Sequence, residues 1–257
     1  MTALHAEWTK LRTVAGPAWL LAAAVALTAG VGAVAANVVS CPGGGCPIDP
    51  ARVSLTGIYL GQVLVAIVAV TCVSGEYSTG MIRLTLAAMP RRWPVLGAKA
   101  AVDGAANLAA GTVAVLASVL AGSLLLAAHG ISPAHGYESL TLATGPVLRA
   151  AAGSVLYLGL IALLGIGIAA ALRDSAASIG VVLGLLYLFP LLSQFIGNHA
   201  WQRHLDQASP MIAGLYIQAT TNLRSLPLTP WQGLGVLALW AAGALLAGGL
   251  LLRLRDA

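Results

Sequence analysis

Ala150 to Leu172 reads AAAGSVLYLGLIALLGIGIAAAL, 23 residues without a single charge. The run is apolar on every side instead of alternating with period two, so it predicts a helix surrounded by apolar material and not a half-buried strand. A helix needs roughly 20 apolar residues to cross a hydrocarbon core of about 30 Å. Inside that core only helices and closed barrels satisfy their backbone groups. This stretch therefore reads as a transmembrane helix, and it sets the terms for its neighbours.

Five more runs of the same kind flank it: Pro17 to Val39, Val53 to Val73, Gly104 to Ala128, Ala176 to Ile196, and Trp231 to Leu252. The whole chain has 257 residues, 59% hydrophobic and 8% charged, with a mean hydropathy of +0.90. Those values exclude an ordinary soluble domain. The expected fold is all-α: one polytopic domain over residues 1–257 with six transmembrane helices. Val38, Val39, Ser40 and Cys41 resemble a lipoprotein cleavage box, but the apolar run before them is far longer than a signal peptide's. The first span is expected to remain as an anchor.

Basic residues set the orientation. With both termini inside, Lys10, Arg12, Arg83, Arg91, Arg92, Lys99, Arg173, Arg253 and Arg255 face the cytoplasm, and only Arg52, Arg149, Arg203 and Arg224 lie outside. The net charge of +5 then reflects topology, and no nucleic-acid reader is visible. Cys41 and Cys46 bracket PGGG in the first outer loop, where a small disulfide or two free thiols are both open. Cys72 lies near the inner end of the second span and reads as a small buried residue. In the last outer loop, about 210–219 (PMIAGLYIQA) is apolar but too short to cross, as expected of a re-entrant or interfacial piece.

Between the second and third spans sits GEYSTGMIRLTLAAMPRR, Gly75 to Arg92. Read as one helix over about 75–90, it places Glu76, Thr79, Gly80, Arg83 and Ala87 on a thin polar stripe. Tyr77, Met81, Leu84 and Ala88 form an apolar face beside it, and Pro90 ends the helix. Such a helix lies along the inner membrane surface and offers its ridge to a partner. Residues 1–14 form a second interfacial helix, with Leu4, Trp8 and Leu11 on one face and Lys10 and Arg12 elsewhere. Trp8 is expected at headgroup level.

The order EWTKLRT, GEYSTGMIRLTLAAMPRR, LRDSAAS (Leu172 to Ser178) and RLRDA resembles the ABC-2 type permeases over nearly the whole chain. That resemblance implies the permease subunit of an ATP-binding cassette exporter, in a bacterial cytoplasmic membrane, pairing with a second copy or a related chain. It implies a separate ATP-binding subunit that holds ATP and Mg. It makes Glu76, Tyr77, Gly80, Arg83 and Pro90 the coupling elements that dock this subunit, with the N-terminal helix touching it too. No G-x-x-x-x-G-K-[ST] occurs in this chain, so no ATP hydrolysis or cofactor is expected on it. The family also places the first and fifth spans at a dimer interface, where Gly180 and Gly184 form a GxxxG pair.

Polar residues within spans mark either a path or interhelical hydrogen bonds. Here they are Gln62, Asn107, Ser154, Tyr157, Tyr187 and Gln194. Asp103 and Arg149 read as span-end groups reaching water, and Asp174 as a residue favoured at the start of the fifth span. Two other readings stand beside the permease. One is a non-transporting membrane partner of an ABC ATPase, a sensor or immunity component. The other is a metal- or haem-binding redox protein using His129, His135, His199 and His204.

Overall fold

In the computed structural model, the described residues are 2–39, 48–81, 92–131, 137 and 139–254. Helix α1 (Thr2–Thr13) precedes the first span, α2 (Ala15–Val38). A short helix, α3 (Pro50–Ser54), leads into the second span, α4 (Ile58–Ser78). The third span is α5 (Arg92–Ala128), the fourth α6 (Gly145–Leu172) and the fifth α7 (Ser175–Phe195). Two helices, α8 (His199–Ala208) and α9 (Pro210–Leu215), precede the last span, α10 (Pro230–Leu254). The protein is an all-α, polytopic membrane protein: these six spans are long and apolar enough to cross, and no strand occurs among the described residues.

Local chemistry sets the boundaries. Proline stands in the first turn of α3, α6 and α9, where its missing N–H costs nothing. The turn between α6 and α7 is closed by Arg173 in the left-handed region at φ 61°. Asp174 follows as N-cap, its carboxylate accepting from the Ala177 amide at 2.7 Å. Pro190 lies inside α7, which continues to Phe195.

Three span starts differ from the expectation; the fourth span begins at Gly145 and not at Ala150. The second span does not begin at Val53, which belongs to α3; it starts at Ile58 after a turn at 55–57. The third span does not begin at Gly104: α5 runs unbroken for 37 residues from Arg92, so Lys99 and Asp103 lie inside a helix and not in a loop. A charge near a span end was a poor stop signal, because Lys99 is paired with Glu7 and Glu76 and Asp103 is buried within the bundle.

Helix α6 is the hub, packed against α10, α4 and α5. It meets α10 backbone to backbone: a Cβ on Gly167 would sit 2.4 Å from the Ala244 carbonyl carbon, and one on Gly248 would sit 2.5 Å from the Gly167 oxygen. In lipid, where tails are as apolar as leucine, such close approach is a main source of helix association. Helices α2 and α7 lie at the periphery, each touching α4, and bury only 17% of their most apolar windows. We call the end carrying α1 and the C-terminus of α10 the near end, and the opposite one the far end.

At the far end, α9 and a 3-10 turn at Tyr216–Gln218, within the segment read as re-entrant or interfacial, are buried against α6, α7 and α10. Asp49 fastens it. Its carboxylate caps α3 through the Ala51 and Arg52 amides and accepts from the Thr220 amide at 2.6 Å, the Thr220 hydroxyl at 2.7 Å and the Thr221 amide at 3.2 Å. Arg149 was expected to reach water; instead it donates to the Ala219 carbonyl within the same cap.

Candidate functional site

The near end is organised by four charges in a closed ring. Lys10 of α1 donates to Glu7 Oε1 at 3.1 Å and to Glu76 Oε1 at 2.6 Å. Lys99 of α5 donates to Glu7 Oε2 at 3.1 Å and to the same Glu76 oxygen at 2.6 Å. Glu76 comes from the last turn of α4, so the ring joins α1, α4 and α5. Lys99 is 3% exposed and Glu76 7% exposed. Burial alone would depress Lys10, but its hydrogen bonds to Glu76 and Glu7 outweigh that and hold its pKa above the ordinary lysine value. Beyond the ring, Asp103 is 5% exposed and hydrogen-bonded to Cys72.

This geometry revises several expectations. Glu76 is not on an exposed docking ridge; it is a buried ring member. Lys10 is not a free interfacial cation. Tyr77 is not offered to a partner either: it packs on the core, and the Arg173 guanidinium lies 5.5 Å from its ring centre. The helix expected over about 75–90 does not start at Gly75, because residues 75–78 finish α4. Gly80 then breaks the helix at φ +70°, and a Cβ there would meet nothing within 4 Å. It takes the left-handed turn, which glycine adopts without strain. Arg83 and Pro90 lie outside the described residues, as do Cys41 and Cys46. Trp8 is 49% exposed and Arg12 is exposed. Asp103 was expected to reach water and does not.

Three of the six polar span residues, Gln62, Tyr157 and Tyr187, meet at one point. Gln62 of α4, wholly buried, donates to the Tyr187 hydroxyl of α7 at 3.0 Å, to the Tyr59 carbonyl at 3.2 Å and to Met211 Sδ of α9 at 3.4 Å. Tyr157 of α6 donates to Gln62 Oε1, and the Tyr187 hydroxyl to the Tyr59 carbonyl. The cluster ties four helices together, which is the interhelical reading of these residues. Asn107 and Ser154 stand apart. Asn107 donates to the Asp103 carbonyl at 2.8 Å, while its Oδ1 and the Ser154 hydroxyl, both buried, have no hydrogen-bond partner. Gln194 is exposed.

Tyr157→Phe tests this cluster. It leaves Gln62 Oε1 buried without its donor, and we expect a loss of ~1–3 kcal/mol in thermal or denaturant unfolding of the detergent-solubilised chain. An unchanged stability would mean that the amide is not sealed from water.

On α7, Gly180 is exposed and Gly184 half-buried, and a Cβ on either would meet nothing within 4 Å. His129 pairs with Asn37 Oδ1 at 3.1 Å. His135 lies outside the described residues, and among those described no group of three or more His, Cys, Asp or Glu side chains could hold a metal ion.

Sequence reasoning missed Glu7, Lys99, Asp49 and Met211. Glu7 and Lys10 stand three apart on one helix, a spacing that announces an ion pair; the others carried no local signal. Neither a scan against protein-family models nor a search of curated proteins returned a match for this chain.

Proposed function

We propose that this chain is the membrane-spanning permease subunit of an ATP-driven exporter of the ABC-2 type. The observation that carries the reading is the ring of Glu7, Lys10, Glu76 and Lys99, which bolts the N-terminal surface helix to the ends of the second and third spans. A soluble motor pressing on the segment between those spans would therefore move α1, α4 and α5 together. Glu76 and Tyr77 serve inside the subunit, so the docking surface begins at Thr79 and Gly80 and continues through Arg83 to Pro90. The partner there is an ATP-binding subunit carrying ATP and Mg. The near end, with both termini, faces the cytoplasm of a bacterial cell.

A second copy would cover the open face of α7 at Gly180 and Gly184. The coupling energy is the difference between the contacts that the docking segment makes with the two states of the motor.

The test is isolation of the tagged chain from native membranes in mild detergent. A nucleotide-binding subunit and ATP hydrolysis should come with it. Arg83→Glu should lower that co-isolation or uncouple the hydrolysis from transport, with affinity falling roughly tenfold or more if Arg83 forms a charged contact. Full assembly and coupled transport by Arg83→Glu would remove Arg83 from the interface. Absence of any ATPase from the wild-type preparation would sink the permease reading.

A further inference from the structure

Between α1, α2, α4 and α5 at the near end lies a cavity of about 480 Å³, within the range of roughly 300–1,000 Å³ typical of small-molecule sites. Leu11, Val14, Pro17 and Leu20 give it an apolar wall on the α1–α2 side, where Glu7 and Lys10 also line it, and Glu76 and Asp103 border it from the other. The ring, of which Glu7, Lys10 and Glu76 line the cavity, is neutral, two glutamates against two lysines. Asp103 is the charge left over: it has no ion-pair partner among the described residues, and Lys99, four residues before it, is taken by Glu7 and Glu76. Glu76 adds a second unmet acceptor, since its Oε2 is buried with no hydrogen-bond partner. An uncompensated buried carboxylate is costly, and a cation brought beside it recovers much of that cost.

We propose that this cavity binds an amphiphilic organic monocation, its apolar body against Leu11, Val14, Pro17 and Leu20 and its charge beside Asp103 and Glu76. A neutral amphiphile would gain the apolar contacts without answering the surplus charge, and a small hydrated metal ion would leave the wall unused. Binding follows from the cavity alone. That the bound cation is also cargo rests on the permease reading.

The experiment is equilibrium dialysis of the purified full chain, in non-ionic detergent, against tetraphenylphosphonium, with tetraphenylborate as a probe of the same shape and opposite charge. We expect saturable binding of one phosphonium per chain and only non-saturable partition of the borate. Asp103→Asn should weaken phosphonium binding by at least roughly tenfold. Leu20→Trp, which fills the cavity without touching a charge, should abolish it, and this variant decides the matter if Asp103→Asn does not fold. Equal binding of both ions overturns the proposal, as does phosphonium binding unchanged in Leu20→Trp or in folded Asp103→Asn. No ATPase is present in the dialysis cell, so failure here counts against the cavity, whereas failure of the co-isolation experiment counts against the permease.

Discussion

Lys99→Met should destabilise the folded chain by ~3–5 kcal/mol, the usual consequence of removing one member of a buried ion pair and stranding the other. Lys99 is nearly inaccessible, and its ammonium is shared by two carboxylates from different helices. Without it, among the described residues, Glu7 and Glu76 retain only Lys10, which is more exposed. The measurement is thermal or denaturant unfolding of the solubilised chain, read together with cleavage of α1 by a soluble protease. The double variant Lys99→Met, Glu76→Gln should recover part of the loss, because the stranded carboxylate goes with its partner. A double-mutant cycle with no coupling between the two sites would show that the ring is held from outside and not by its own members.

Gly167→Ala is the second large effect expected. Its added methyl would sit 2.4 Å from a backbone carbon and 2.7 Å from the backbone oxygen of Ala244, atoms that cannot swing aside as the tip of a side chain does. Helices α6 and α10 must then separate, and overpacking of this kind costs ~1–3 kcal/mol or more. Gly180→Ala is the control. Its methyl meets open space, so the isolated chain should change by less than about 0.5 kcal/mol. Equal behaviour of the two variants would mean that the α6–α10 crossing is looser than its geometry.

The six spans were readable because lipid allows no other arrangement for such long apolar runs. Their partners were not, since pairing is a property of three dimensions. Gln62, Tyr157 and Tyr187 could be singled out as polar groups in need of company, but nothing local says that residues 95 and 125 positions away supply it. The near end shows a different failure. A helical wheel assumes one unbroken phase, and Gly80, in the left-handed region, resets that phase. Glu76 therefore belongs to the last turn of α4, and a stripe drawn onward from it passes through the break at Gly80. Lys99 and Asp103 misled in turn because two charges four apart near a span end resemble a loop, whereas here Glu7 and Glu76 answer the lysine and Cys72 bonds the aspartate.

The length of α5 has a mechanical consequence. At about 1.5 Å per residue its 37 residues reach about 55 Å, well beyond the hydrocarbon thickness. A straight rod of that size either leans steeply or stands proud of the bilayer by several turns, and its only charges, Arg92, Lys99 and Asp103, all fall in its first third. That asymmetry favours protrusion at the charged end, with the apolar remainder held by lipid as a fulcrum holds a crowbar. A few degrees of rocking at mid-depth would then sweep the protruding tip sideways by ångströms.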